Sequence, residues 1–181
     1  MTAFAVLPTE LRAQTVEVTP FIGYRTGNDF LGTSTGGNLD HSGASSLGVV
    51  VDVLFGPPTD GIKVEGIFSR QRVQFVDVDH AQVGGIYELS DGRARPFLAA
   101  LVGFTRYASP ADTQFRLCLG GGAGVKLFAT PHIGLRVDGR VYSTFVDTAV
   151  VGLCGGNGCA FAFRVSPAWQ FDATAGIIVA F

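Results

Sequence analysis

Few side chains in this sequence have the types and spacing that chemistry requires, and they fall into three groups. The first is the pair Cys154 and Cys159 in "LCGGNGCAF", which brackets four small, turn-prone residues. In an oxidising compartment that spacing predicts a local disulfide, one that chiefly stiffens a loop tip because so short a ring removes little chain entropy. Zinc is the alternative reading of the pair, but it needs more ligands and no histidine lies nearby. Cys118 is left over as a small inward-facing residue. The second group is His41, His80 and His132, which have neither metal spacing nor a serine and acid partner, and are expected in or beside loops and turns. The third is a scatter of charges of both signs, each set between small or apolar residues: Glu17, Arg25, Asp52, Glu65, Arg116, Lys126, Arg136, Asp138, Arg140, Arg164 and Asp172. Such a set builds ion pairs rather than a catalytic or metal centre. The run "GGGAG" at 120–124 does not fit G-x-G-x-x-G and lies inside a strand pattern, so it is read as packing rather than phosphate binding. No catalytic, cofactor or metal set emerges, and the chain is read as a non-enzyme without a cofactor.

What positions these residues follows from composition. The 181 residues are 47% hydrophobic and only 15% charged, with a mean hydropathy of +0.34 and 25 glycines. A net charge of -2 and scattered arginines give no basic field, which excludes nucleic acid as a partner. No run approaches the ~18–20 apolar residues of a membrane-spanning helix. Residues 1–14, an apolar run with Pro8 and then Ala13-Gln14, read as the remnant of a secretory signal, leaving 15–181 as one domain.

Within that domain the hydrophobicity repeats every two residues, which predicts an all-β chain. Residues 46–55 set Leu47, Val49, Val51, Val53 and Phe55 against Gly48, Val50, Asp52 and Leu54; residues 133–142 set Ile133, Leu135, Val137 and Val141 against Gly134, Arg136, Asp138, Arg140 and Tyr142. The same alternation over 16–25, 62–71, 81–89, 96–107, 115–128 and 163–181 brings the expected number of strands to about eight. Tight turns are expected between strands two and three, four and five, and six and seven. Longer loops are expected near 26–45, 70–80, 108–114 and 143–162, the pattern of an up-and-down meander.

A soluble sandwich, a lipocalin-like barrel and a membrane barrel all have one apolar face, so the other face decides. A solvated sheet usually carries many lysines, whereas this chain has only Lys63 and Lys126. Its polar faces hold glycine, serine and charges of both signs, as a confined lumen would, and eight strands enclose just enough space for side chains to fill. Gly120, Gly122 and Gly124 share the inward face and make room for Arg136 and Arg140 on the next strand. The opposite faces carry no charge and end in aromatics, among them Tyr24, Phe55, Phe104, Phe115, Trp169 and Phe181. That is a belt built for lipid. The fold class expected is an eight-stranded antiparallel up-and-down transmembrane β-barrel.

The segments "VTPFIGYR", "RPFLAALVGF", "IGLRVDGRVY" and "TAGIIVAF", in that order and spacing, resemble the first, fifth, seventh and last strands of the small eight-stranded outer-membrane barrels, the OmpA-like or porin-family barrels of Gram-negative bacteria. The family's peptidoglycan-binding domain has no counterpart in these residues, so anchoring to the cell wall is not carried over. The resemblance implies a bacterial outer-membrane location and a structural, adhesion or surface-recognition role. Its partners would be outer-membrane lipid and lipopolysaccharide, and an extracellular ligand met through the loops. It also makes Thr174, Gly176, Val179 and Phe181 the signal read by the outer-membrane assembly machinery. A soluble lipocalin-like binding barrel is the alternative, and a lipid A modifying barrel enzyme a more distant one.

Overall fold

The computed structural model describes residues 16–27, 43–55, 61–73, 76–108, 113–155 and 158–181, and the side chains of 27, 73, 76 and 146–167 fall outside that description. The strands are β1 (Val16–Gly27), β2 (Ala44–Leu54), β3 (Ile62–Val73), β4 (Val76–Glu88), β5 (Ala94–Ala108), β6 (Thr113–Phe128), β7 (Ile133–Gly155) and β8 (Gly158–Ala180). Each pairs antiparallel with its neighbours in sequence. β8 returns to β1 from Glu17↔Ala180 to Gly27↔Gln170 and closes the barrel. Closure leaves no sheet edge within the barrel wall, the condition under which β-structure can cross hydrocarbon.

The period of two sends apolar side chains outward and polar ones inward. Ile22, Leu47, Leu98, Phe104, Phe171 and Ile177 are each more than half exposed, whereas Glu17, Arg25, Asp52, Glu65, Lys126 and Arg136 are buried. A soluble lipocalin-like barrel needs the reverse distribution. The lumen is filled in zones. From the end where β1 starts and β8 finishes come a charged zone, bordered by an apolar cluster of Phe128, Ile178 and Ala180, then on β1 to β5 an apolar layer of Phe21, Val50, Ile67, Ile86, Phe97, Ala99 and Leu101, then a polar zone crossed by the buried pair of Arg25 and Asp172. At the terminal end, the turn before β3 places Gly61 at φ +65°, a left-handed conformation suited to glycine. The Gly61 carbonyl accepts the Glu88 amide at 2.8 Å, which ties that turn to β4 where β4 delivers an acid to the charged zone.

Two of the segments expected as long loops are strand instead. β4 begins at Val76, so only residues 74–75 separate it from β3. Asp77 and Asp79 made that stretch look like loop, but they are neutralised on the sheet by their register neighbours Arg72 and Arg70. Residues 143–162 continue β7 and β8 as a two-stranded ribbon whose outer part, from Phe145↔Pro167 to Gly155↔Gly158, pairs with neither β6 nor β1. Its valines, threonines and phenylalanines favour strand around a two-residue connection, a signal hidden by the glycines at its tip. The β5–β6 connection is short, 109–112, and residues 28–42 lie outside the described residues.

Candidate functional site

The charged zone is built from two rows of like charge that face each other across the lumen. Glu17, Asp52 and Glu65 are register neighbours on β1, β2 and β3, and Lys126 and Arg136 are opposed on β6 and β7, with Arg140 further along β7. Either row alone is repulsive. Together they neutralise. Lys126 Nζ donates to Glu17 Oε2 at 2.6 Å, Asp52 Oδ2 at 2.7 Å and Glu88 Oε1 at 2.8 Å. Arg136 reaches Asp52 at 3.0 Å, Glu65 at 2.5 Å and Asp138 at 2.7 Å, and Arg140 reaches Glu65 at 2.7 Å and Asp138 at 2.9 Å. Lys63 donates to both Glu17 and Glu88. Four cations thus serve five carboxylates, and Arg95, 3.6 Å from Glu88 at the mouth, evens the count. The Arg136 guanidinium also lies 4.4 Å over the Phe97 ring.

The small residues of β6 make the crossing possible. A Cβ at Gly122 would stand 2.8 Å from Arg140 Cγ, and one at Gly124 would collide with Asp138 and stand 2.7 Å from the Phe97 ring. Burying so many charges is costly, and their hydrogen-bonded pairing offsets that cost.

Further from the termini, Arg25 is fully buried and bonds Asp172 at 2.5 Å and Ser69 at 2.9 Å, with its guanidinium 4.9 Å over the Tyr142 ring. His80 is not a loop histidine. It sits on β4 inside the lumen, its Nδ1 3.1 Å from Thr105 and its ring 5.1 Å from that of Tyr142. Cys118 is buried beside it and accepts from Gln82 at 3.1 Å. His132 contacts the Ala180 carbonyl in the β6–β7 turn, and His41 lies outside the described residues.

Among the described side chains Arg116 makes no bond with the charge network. It lies on β6 beyond Cys118, where pairing with β7 ends, and donates to Gln114 on its own strand at 2.9 Å. The side chains of Arg164, Cys154 and Cys159 lie outside the described residues, although the ladder opposes Cys154 to Cys159. Lys63 and Glu88 belong to the network and were absent from the residues singled out in the sequence. Both have inward parity, which was the signal available.

No protein-family model matches the chain, and no curated protein sequence matches it. Its structure does have counterparts. Neisserial surface protein A shares 14% identity and a TM-score of 0.66 over 92% of this chain and 97% of that one. The fold is that of a small outer-membrane β-barrel. The N-terminal barrel domain of Pseudomonas aeruginosa OprF (13% identity, TM-score 0.55, 91% and 97% covered) has it too. So does a major outer membrane protein of Thermus thermophilus (12%, 0.51, 92% and 99%). With its uncharged belt, an outer-membrane β-barrel of this kind resides in that membrane with lipid around it.

On this outer-membrane barrel, the residues of the expected assembly signal divide between the faces. Val179 and Phe181 point outward, whereas Thr174 donates to Asp138 at 2.9 Å inside and Gly176 lets β8 lie close to β1. A Cβ at Gly176 would stand 2.5 Å from the Pro20 carbonyl oxygen. Outside, near the end opposite the termini, Arg70, Asp79 and Arg106 form a charged row on the face expected to carry none; Arg70 and Arg106 close the expected strands 62–71 and 96–107, and Asp79, which joins them, lies in the segment expected as loop.

Proposed function

We propose that this protein is a closed, non-enzymatic surface barrel whose lumen does not conduct, and which acts through its lipid-facing wall and the connections at one end. The observation that carries this reading is Lys126, fully buried and bonded at once to carboxylates from β1, β2 and β4, so that the walls are tied together across the lumen. His80 supports the absence of catalysis, since it is enclosed in the lumen and bonded to a threonine rather than placed where a lipid substrate could reach it. Both termini and the turns 55–61, 89–93 and 129–132 face the periplasm in this reading. The ends of β1 and β2 that lead into 28–42, and the β7–β8 ribbon, face the exterior, where adhesion or recognition of an extracellular ligand would occur. Residues 1–14 serve as export signal, and Thr174, Gly176, Val179 and Phe181 are read by the assembly machinery.

Refolded protein in a planar lipid bilayer tests the closed lumen. The bilayer is expected to stay silent while the same preparation shows heat-modifiable migration. Discrete conductance steps from protein folded in this way would refute the reading.

A further inference from the structure

Centred on β3, β4 and β5 and reaching Val49 and Val51 of β2 and Leu117 of β6, the outer wall holds a groove of about 570 Å³ whose lining is almost wholly apolar. Phe68 and Phe104 stand on either side of Ala81 as its register neighbours, and the floor runs on to Gly66, opposed to Val83. Packing does not impose this shape. A Cβ at Gly66 would approach nothing nearer than 4.0 Å, so the missing side chain leaves space open to lipid instead of clearing an interior clash.

The next outward row, away from the termini, is charged. Arg70, Asp79 and Arg106 are register neighbours immediately beyond Phe68, Ala81 and Phe104. Arg70 grips Asp79 with two bonds, 2.7 and 3.2 Å, and Arg106 adds a third at 3.2 Å. Asp79 is covered while the arginine side chains are 53% and 42% exposed, so two accessible guanidiniums share one shielded carboxylate. The following row adds no net charge, because Arg72 is paired with Asp77 at 2.8 Å. Among the described residues a surplus cation therefore heads an apolar groove.

We propose that this surface binds a phosphorylated, multiply acylated glycolipid of the outer leaflet, with an acyl chain between Phe68 and Phe104 and a phosphate at Arg70 and Arg106. Charge complementarity selects an anionic headgroup, and paired guanidiniums suit phosphate oxygens. The position of the row, at the end opposite both termini, selects the leaflet. That last step rests on the orientation given under Proposed function.

The test uses the full chain refolded in neutral detergent, with native mass spectrometry of lipid retained from purified lipid A, from the same lipid A stripped of phosphate, and from phosphatidylglycerol. The folded protein is expected to retain lipid A at least about tenfold better than the other two. Arg106→Gln removes the surplus charge and leaves Asp79 paired with Arg70; it is expected to lower retention about tenfold. Ala81→Leu fills the groove and is expected to lower it similarly, while Gly139→Ala, an outward site on β7, leaves it unchanged. Equal retention of the three lipids, or folded Arg106→Gln and Ala81→Leu proteins that retain lipid A as the parent does, would overturn the assignment. A protein that is monodisperse without detergent would instead overturn the outer-membrane reading beneath it.

Discussion

Glu65→Gln removes one charge from the lumen network and changes almost no volume. Glu65 is fully buried and receives Arg136 at 2.5 Å and Arg140 at 2.7 and 3.3 Å. Arg136 keeps Asp52 and Asp138 in the variant, but Arg140 is left with Asp138 alone. The amide oxygen can still accept one bond. The net loss is two charge-assisted bonds together with an under-compensated buried guanidinium, which costs about 3–5 kcal/mol. Urea unfolding in lipid vesicles reads this through Trp169, the single tryptophan, which lies on the lipid face. Arg140→Met alone is expected to be destabilising by a similar mechanism, because it strands Glu65 and Asp138 on fewer cations. The double variant Glu65→Gln with Arg140→Met removes one charge of each sign. Its cost should fall short of the summed single costs by at least about 2 kcal/mol. A loss below about 1 kcal/mol for Glu65→Gln, or additive costs in the double variant, would refute the view that these charges stabilise by mutual compensation.

Three further outcomes follow from the same geometry. Gly122→Val should destabilise by about 1–3 kcal/mol because its side chain displaces Arg140, whereas Gly139→Ala, with nothing within 4 Å of the new Cβ, should stay within about 0.5 kcal/mol in the same unfolding assay. Cys154 and Cys159 oppose each other in an antiparallel ladder, which puts Cα atoms about 4.5–5.5 Å apart and within disulfide reach. In exported protein they should resist alkylation until reduced, and ready alkylation beforehand would contradict the pairing. Phe181→Asp should sharply reduce assembled protein in the outer membrane, measured as the heat-modifiable fraction, while substitutions in 28–43 should not.

The alternation of Leu47, Val49, Val51 and Val53 with Val50 and Asp52 was enough to assign faces, because lipid and lumen impose opposite demands on neighbouring residues. The charge network was legible for the same reason, since Asp52, Glu65, Lys126, Arg136 and Arg140 are all inward by parity. Parity does not say which inward charges come within reach of each other, and so it does not separate Arg116, which lies past the last β6–β7 pair, from the bonded set nearer the termini. Composition misled at 76–80 and 143–162. Acids and glycines there suggested loops, but cross-strand arginines neutralise Asp77 and Asp79, and the ribbon needs only backbone pairing with its other strand. The outer row of Arg70, Asp79 and Arg106 is hidden by the first of these, because Asp79 is the member that joins the two arginines and a register row exists only once the strands are paired.

The separation of the acidic and basic rows also sets a timescale. Glu17, Asp52 and Glu65 belong to the first three strands and Lys126, Arg136 and Arg140 to the sixth and seventh, with bonds between residues 71 to 109 apart in sequence. No such bond forms until the ends of the sheet have met. Interactions made after the rate-limiting step leave the speed of folding unchanged and slow its reversal. The buried charges thus act as a latch set by closure, and they prolong the lifetime of the inserted barrel more than they hasten its formation.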